Sequence, residues 1–126
     1  MAELTIGMPV YNNAATIAAA LDPLLPRIFR VFRALVSDNA STDETAAIAL
    51  GYAERDPRVS VVRQAQNLGY YRNYKFVLDR ALTPFFMWAA GDDRWVPGFA
   101  VANIAALRGG SRLAASVSRV SFAGAP

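Results

Sequence analysis

The sequence predicts an α/β fold, Rossmann-like and doubly wound, built on a mainly parallel sheet. Short apolar runs alternate along the chain with segments that carry apolar residues at helical spacing, and this β-α-β order is typical of a parallel sheet. The apolar run Phe85–Ala90 is followed directly by Gly91-Asp92-Asp93. Such a run predicts a strand buried on both faces, whose carboxyl end presents two carboxylates to a ligand crevice. Taken alone, the same segment also fits a solvated Gly-Asp turn.

Each predicted strand ends at residues that interrupt a ladder or favour a turn. Pro9 is expected to stop the first strand because proline has no N–H to donate. Ser37-Asp38-Asn39 is expected to end the second, and the Asp56-Pro57 turn to introduce the third. The predicted strands are Leu4–Met8, Val31–Val36, Arg58–Val62, Phe85–Ala90 and, with weaker alternation, Leu113–Phe122.

The predicted helices have recognisable starts. Asn12 or Asn13 can cap the first, and Ser41-Thr42-Asp43-Glu44 has the form of a capping box for the second. Asn67-Leu68-Gly69 forms a loop before the third, and Pro97 suits the beginning of the fourth. These helices run through Thr16–Leu24, Ala46–Leu50, Arg72–Leu82 and Phe99–Leu107.

Composition limits the chemistry available to the chain. The sequence has 126 residues, 54% hydrophobic and 18% charged, so it predicts one small ordered domain over 1–126 rather than a disordered segment. It contains no cysteine and no histidine, which excludes disulfides, thiolate or imidazole metal ligands, and Ser-His catalysis. Any bound metal is therefore held by oxygen atoms, which favours Mn²⁺ or Mg²⁺.

Charge distribution argues against nucleic acid as a partner. The net charge is +3, and the basic residues are scattered, with few aromatic residues interleaved at stacking intervals. The densest basic segment, Arg27–Arg33, fits a membrane-surface helix. We favour instead the end of a helix followed by the second strand, because the apolar run Ala34-Leu35-Val36 continues the segment. With no signal sequence and no apolar run of about 18 residues, we expect a cytoplasmic location, with peripheral contact at the inner membrane face left open.

Several ligand classes of α/β domains are disfavoured by missing motifs. The chain has neither a G-x-G-x-x-G fingerprint nor a P-loop, and the acids of a phospho-acceptor domain are absent after the first strand. The sequence also disfavours a nucleotidyltransferase, because no Gly-rich basic loop follows the first strand. The loops after strands one, two and four instead offer an aromatic residue, a carboxylate and a carboxylate pair: Tyr11, Asp38 and Asp92-Asp93.

These segments together resemble the family 2 glycosyltransferases, whose catalytic domain has the nucleotide-diphospho-sugar (GT-A) fold. The resemblance covers nearly the whole chain and implies transfer of a sugar from a nucleotide donor to an acceptor hydroxyl, with Mn²⁺ or Mg²⁺. The matching segments are Met8-Pro9-Val10-Tyr11-Asn12, Val36–Asp43, Asn67-Leu68-Gly69 with Arg72-Asn73, and Trp88–Asp93.

The resemblance implies a role for particular residues in binding the base. Tyr11 would lie against the base with Pro9 in the same pocket wall, although Tyr11 also fits a half-buried loop tyrosine. Asp38 would accept an imide N–H, which implies a UDP-, dTDP- or GDP-sugar; its alternative is a turn-forming acid. Asn67 and Arg72 would complete the nucleotide site, with a solvated helix charge as the alternative for Arg72.

The resemblance also implies a metal site at Asp92 and Asp93, with Asp92 contacting the nucleotide as well. Many family members carry another aspartate two residues before this pair, where this chain has Ala90. That departure puts part of the ribose or metal contacts in doubt.

The family's catalytic base lies beyond the metal motif, whereas this sequence has no Asp or Glu after Asp93. We therefore expect the donor half of a GT-A domain, inactive in isolation, whose whole enzyme would act on a glycan or lipid-linked sugar acceptor. A non-catalytic nucleotide-sugar binding module is the alternative. An exposed apolar C-terminal strand, around Val117, Val120 and Phe122, would favour a dimer.

Overall fold

A computed structural model describes residues 2–25, 32–95 and 99–109 of the chain. Four parallel strands form one sheet in the order β3-β2-β1-β4, with helices in the connections between them. A 3₁₀ turn at Asp22–Leu24 extends the first helix. The strands are β1 (Leu4–Val10), β2 (Phe32–Asp38), β3 (Val59–Arg63) and β4 (Phe85–Trp88), and the helices are α1 (Ile17–Leu21), α2 (Thr45–Arg55), α3 (Tyr70–Asp79) and α4 (Phe99–Gly109).

The fold class predicted from the sequence is confirmed, but the expected end of the first strand is wrong. Strand β1 continues through Pro9 to Val10, with Pro9 in register with Ser37 of β2. The carbonyl of Gly7 accepts a hydrogen bond from Ala89 beyond β4, so the odd residues of β1 turn their backbone groups towards β4. Because β4 pairs with β1 only as far as Gly7, the missing N–H of Pro9 falls where no strand needs it.

Two other strand predictions need correction. Strand β2 includes Ser37 and Asp38, since both pair with β3 instead of turning away. Strand β4 stops at Trp88 and is not buried on both faces: Phe85 to Met87 are half-buried and Trp88 is 43% exposed. Among the described strands it pairs with β1 alone, which leaves its other edge uncovered by them. The predicted strand Leu113–Phe122, with Val117, Val120 and Phe122, lies outside the described residues, as do residues 27–31 of the basic segment and Pro97 at the predicted start of the fourth helix.

The predicted helix caps are also wrong. Helix α1 begins only after Thr16, and the Asn13 side chain accepts from the Tyr11 N–H rather than capping the helix. Helix α2 begins at Thr45, and Ser41 bonds to Asp38 rather than to the helix. Asp43 supplies the contact at this helix start, accepting from the Thr45 N–H at 2.9 Å. In both places the side chain bonds to a residue that precedes it in its own loop instead of to the helix that follows.

The two faces of the sheet carry different helices. The even residues of β1, from Leu4 to Val10, belong to a buried apolar cluster with Ile17 and Leu21 of α1. The odd residues face α3, where a Cβ on Gly7 would lie 2.7 Å from Cγ2 of Val77. Glycine at this position therefore allows α3 to pack at a short distance from β1.

The strand order creates a switch point between β1 and β4. The chain moves outward from β1 to β2 and β3, then α3 returns across the sheet to place β4 on the other side of β1. In open α/β sheets the ligand crevice lies at the carboxyl ends of the strands where the order reverses. The loops after β1 and β4 therefore flank the expected crevice. No helix in the described part of the chain has the length and apolar character needed to cross a bilayer.

A prediction on alkaline stability follows from the contact between α2 and the 3₁₀ turn. The Tyr52 hydroxyl donates to Oδ1 of Asp22 at 2.5 Å, and burial, followed by this hydrogen bond, raises the pKa of Tyr52 to about 12. The folded state therefore favours the neutral phenol of Tyr52. Its contribution to the free energy of unfolding is fully present below pH ~10 and is lost as the pH rises towards 12. Denaturant unfolding of Tyr52→Phe from pH 8 to 12 should show a shallower alkaline loss than the native chain; identical slopes would contradict this.

Candidate nucleotide and metal site

A cleft of about 260 Å³ lies at the switch point, at the carboxyl ends of the strands. The loop after β1, the beginning of α3 and the turn after β4 all contribute to it, as the strand order requires. Its lining residues are Pro9, Val10, Tyr11, Asn13, Asn39, Asn67, Tyr70, Asn73, Tyr74, Ala90, Gly91 and Asp92.

The loop that carries Tyr11 is held by the loop after β2. The Asn12 N–H donates to Oγ of Ser41 at 2.9 Å, and the Thr42 N–H donates to Oδ1 of Asn12 at 2.9 Å. Asn12 has φ +50°, a left-handed conformation that asparagine tolerates better than most residues. Tyr11, 45% exposed, is therefore presented from a loop whose backbone is fixed by long-range hydrogen bonds.

Asp38 lies behind this loop rather than in the cleft lining. Its side chain is fully buried, and its two oxygens accept from Ser41, Oδ1 from the hydroxyl at 2.5 Å and Oδ2 from the N–H at 3.3 Å. Nε of Arg63 lies 3.8 Å from Oδ2. Asp38 thus connects the end of β2 to the Ser41 hydroxyl that in turn holds Asn12. Because the Asp38 side chain is fully buried, a direct contact with a base would require the residues that cover it to move.

The turn after β4 is packed tightly against the loop after β1. A Cβ on Gly91 would lie 2.7 Å from Oδ1 of Asn13 and 2.8 Å from Cγ1 of Val10, so only glycine fits without displacement. The Thr16 hydroxyl donates to the Gly91 carbonyl at 2.8 Å. Glycine at this position therefore lets the turn after β4 pack directly against the loop after β1.

The two adjacent aspartates occupy different environments. Oδ2 of Asp93 accepts from the Ala90 N–H at 2.9 Å, and the Asp93 N–H donates back to the Ala90 carbonyl at 3.1 Å, closing the turn. Asp92 is exposed and lines the cleft, and its carboxylate has no hydrogen-bond partner among the described residues. The turn therefore uses one Asp93 oxygen and leaves the Asp92 carboxylate available to the cleft.

The carboxylate oxygens of Asp92 and Asp93 are ligands that suit a hard divalent cation. Mg²⁺ is commonly bound through one or two carboxylates, with water and substrate phosphates completing the coordination. The described residues contain no group of three or more acidic, histidine or cysteine side chains placed to hold a metal. Asp92 and Asp93 therefore fit a cation that also needs oxygens from a ligand, and they do not fit a metal site closed by protein side chains alone.

Helix α3 contributes a wall that sequence reasoning missed. Tyr70, Asn73 and Tyr74 line the cleft, and the Tyr70 and Tyr74 ring centroids are 4.4 Å apart. Burial, followed by hydrogen bonding to Tyr70 and the charges of Asp93 and Asp92, raises the pKa of Tyr74, which keeps its phenol protonated. Positions 70, 73, 74 and 77 share one helix face, so an asparagine among apolar residues on that face was the signal available.

Asn73 is buried because it pairs with the end of β2. Its Oδ1 accepts from the Ser37 hydroxyl at 2.6 Å, and its Nδ2 donates to the Ser37 carbonyl at 3.1 Å. This two-point contact fixes the first turns of α3, and with them Tyr70 and Tyr74, relative to the sheet.

The structure brings together only part of the predicted site. Pro9, Tyr11, Asn67 and Asp92 line one cleft, with Asp93 next to it in the same turn. Arg72 is exposed in the first turn of α3, outside the lining, and Asp38 lies beneath the cleft wall. The lining residues that were not predicted as site residues are Val10, Asn13, Asn39, Tyr70, Asn73, Tyr74, Ala90 and Gly91.

Solved structures identify the class of fold. The chain is similar to Staphylococcus aureus TarS, in the structure titled TarS 1-349, with a TM-score of 0.77 and 23% identity over 85% of this chain and 32% of that one. It is also similar to the mannosyltransferase PcManGT of Pyrobaculum calidifontis, with a TM-score of 0.64 and 26% identity over 74% of this chain and 28% of that one. The parallel sheet with its cleft at the switch point is thus the GT-A glycosyltransferase fold.

The family follows from the sequence match. The model of "Glycosyl transferase family 2" matches residues 5–123, and the chain belongs to this family. A curated relative, the uncharacterized protein MT1568 of Mycobacterium tuberculosis (strain CDC 1551 / Oshkosh), is 34% identical over 75% of this chain. The uncharacterized protein Rv1520 of strain ATCC 25618 / H37Rv is 35% identical over 68% of it. The chain spans 29% and 25% of the lengths of these relatives, respectively.

Proposed function

We propose that this chain is the donor-binding part of a metal-dependent glycosyltransferase that uses a UDP-, dTDP- or GDP-sugar. The observation that carries the proposal is the charge of the cleft: Asp92 lines it, and no lysine or arginine does so among the described residues. A diphosphate entering such a cleft brings further negative charge, which is favourable only if a divalent cation accompanies it.

Similar proteins support both the donor class and the cation. A TarS structure is described as a complex with UDP-GlcNAc and another with UDP, and the PcManGT structure as a complex with GDP-Man and Mn²⁺. We assign Mn²⁺ or Mg²⁺ to Asp92 and Asp93, where it would act as a Lewis acid on the departing nucleoside diphosphate. The acceptor would be a hydroxyl of a glycan or a lipid-linked sugar.

The residues of this chain have separate parts in donor binding. The exposed Tyr11 ring offers a face to the base, with Pro9 behind it in the cleft wall. Arg72 is exposed in the first turn of α3 and does not line the cleft, and it would have to extend towards the ligand to reach a phosphate or a base carbonyl. Asp38 secures the Tyr11 loop through Ser41, and because its side chain is fully buried it would meet an imide N–H only if the loop above it moved.

Transfer itself needs a base to deprotonate the acceptor hydroxyl. This sequence carries no Asp, Glu or His after Asp93 that could do so. We therefore propose that the chain by itself binds the donor without transferring its sugar, which is also how a non-catalytic binding module would behave. Turnover onto an acceptor sugar by this chain in a radiolabelled-donor assay would contradict this part of the proposal.

Calorimetric titration with UDP tests the donor-binding function directly. We expect measurable binding in Mn²⁺ or Mg²⁺ and a loss of affinity of at least tenfold in EDTA, because the diphosphate then meets Asp92 without a cation. ADP serves as the control base, since adenine lacks the imide N–H and should bind more weakly under both conditions. Equal UDP affinity with and without the cation would remove the metal from the proposal.

A further inference from the structure

Thr16 precedes helix α1 but does not cap it. At this position a threonine hydroxyl ordinarily accepts from an N–H of the first helical turn. Here no such side-chain bond forms, and the hydroxyl donates to the Gly91 carbonyl at 2.8 Å, with the Asn13 carbonyl farther away at 3.4 Å. A hydroxyl has one proton to donate, and the shorter contact takes it. The Thr16 side chain therefore serves the turn after β4 rather than its own helix.

The turn after β4, residues 90–93, has few other polar contacts with the rest of the fold. The Ala89 N–H makes the final hydrogen bond between β4 and β1, just before the turn. The two hydrogen bonds between Ala90 and Asp93 lie within the turn itself. In the part of the chain that the structure describes, the Thr16 hydroxyl therefore makes the one hydrogen bond that joins this turn to another element.

The backbone that carries this hydroxyl is itself held by buried groups. The Asn13 carbonyl accepts from the Thr16 N–H at 3.0 Å and from the Ile17 N–H at 2.8 Å, and Ile17 is fully buried in the core. The Asn13 N–H donates in turn to Oγ1 of Thr45 at 2.8 Å, and Thr45 is fully buried at the start of α2. The Thr16 hydroxyl is thus a donor whose position is set by the beginnings of two helices.

The accepting carbonyl belongs to the peptide group that joins Gly91 to Asp92. A hydrogen bond to this carbonyl fixes the plane of the peptide group, and it thereby restricts the direction in which the Asp92 side chain leaves the turn. A carboxylate that is already in place binds a divalent cation without the cost of ordering the turn. Resting on the proposed function, we propose that Thr16 is a positioning residue that holds Asp92 for the cation through the Gly91 carbonyl.

Two substitutions separate the hydroxyl from the rest of the side chain. Thr16→Val keeps the branched shape and removes the donor, whereas Thr16→Ser keeps the donor and removes the methyl group. UDP is titrated calorimetrically over a series of Mn²⁺ concentrations. We expect Thr16→Val to need about three- to tenfold more Mn²⁺ for half-maximal UDP binding, as the loss of one hydrogen bond implies, and Thr16→Ser to match the native chain. If Thr16→Val fails to fold, Thr16→Ala, which also lacks the donor and favours a helix, takes its place.

Thr5→Val is the matched control for a general loss of stability. The Thr5 hydroxyl bonds to the Thr83 hydroxyl at 2.6 Å near the amino end of β1, whereas the cleft lies at the carboxyl end of that strand. The substitution should lower the thermal midpoint of unfolding and leave the Mn²⁺ concentration at half-maximal UDP binding unchanged. An equal rise of that concentration in Thr5→Val and Thr16→Val would show that it follows stability, and would overturn the inference.

The same titrations distinguish the other failures. If Thr16→Val needs no more Mn²⁺ than the native chain, or if Thr16→Val and Thr16→Ser need equally more, the hydroxyl does not position the turn. The inference is then wrong, while the native chain still shows the cation dependence of the proposed function. If the native chain binds UDP equally well with and without Mn²⁺, the metal part of the proposed function fails, and the inference fails with it.

Discussion

Asp92→Asn should lower the affinity for UDP in Mn²⁺ by about 1.5–3 kcal/mol, the range for a contact with a charged group. The Asp92 carboxylate lines the cleft without a partner among the described residues, so its charge is available to a cation. Removing that charge while keeping the shape of the side chain should also remove most of the difference between Mn²⁺ and EDTA. Calorimetry under both conditions measures this.

Two further aspartates provide controls for that substitution. Asp79→Asn removes an exposed carboxylate paired with Lys75 on α3 and should leave UDP binding unchanged, since exposed ion pairs contribute little. Asp93→Asn should weaken both cation binding and the fold, because Oδ2 of Asp93 also accepts from the Ala90 N–H. Thermal unfolding distinguishes them: Asp92→Asn should keep the native midpoint and Asp93→Asn should not. Undiminished cation dependence in Asp92→Asn would contradict the metal assignment.

Gly91→Ala should abolish nucleotide binding and reduce the free energy of unfolding by about 1–3 kcal/mol, the usual effect of overpacking. The added methyl group would lie 2.7 Å from Oδ1 of Asn13 and 2.8 Å from Val10, so the turn or the loop must move. Oδ1 of Asn13 accepts from the Tyr11 N–H, and displacement would therefore disturb Tyr11 and Asp92 together. Denaturant unfolding and UDP titration report the two effects.

Gly51→Ala is the matched control. Gly51 lies within α2, and a Cβ there would meet nothing within 4 Å, so alanine should stabilise the helix by about 0.5–1 kcal/mol. Nucleotide affinity should not change. Native-like UDP binding by Gly91→Ala would show that the contact between the two loops does not position the site.

Local patterns were sufficient to predict the order of the elements and the loops that form the site. The predicted strands Leu4–Met8 and Arg58–Val62 lie within one or two residues of the observed β1 and β3. Strand β1 is buried at every position, as expected for a mainly apolar run in the middle of a parallel sheet. Tyr11 and Asp92 were found because residues directly after neighbouring strands must meet at one edge of the sheet.

Local sequence patterns did not predict the strand ends and helix caps correctly. Pro9 was predicted to end β1 because its missing N–H is costly inside a ladder, yet β4 is too short to need that N–H. Whether a residue can remain in a strand therefore depends on the length of a neighbour about 80 positions away in sequence. The same holds for Ser41, whose hydroxyl bonds to Asp38 and Asn12 rather than to the helix that follows it.

The sequence by itself determined the fold class, the family resemblance and the set of oxygen donors, since these follow from residue type and spacing. Only the tertiary structure decided which of those side-chain oxygens already have partners within the protein. Asp38 is buried against Ser41, and one of the two oxygens of Asp93 accepts from the Ala90 N–H. The Thr16 hydroxyl donates to the Gly91 carbonyl, 75 residues away, rather than capping α1. A polar side chain is available to a ligand only where the fold has not satisfied it already, and those partners come from distant parts of the chain.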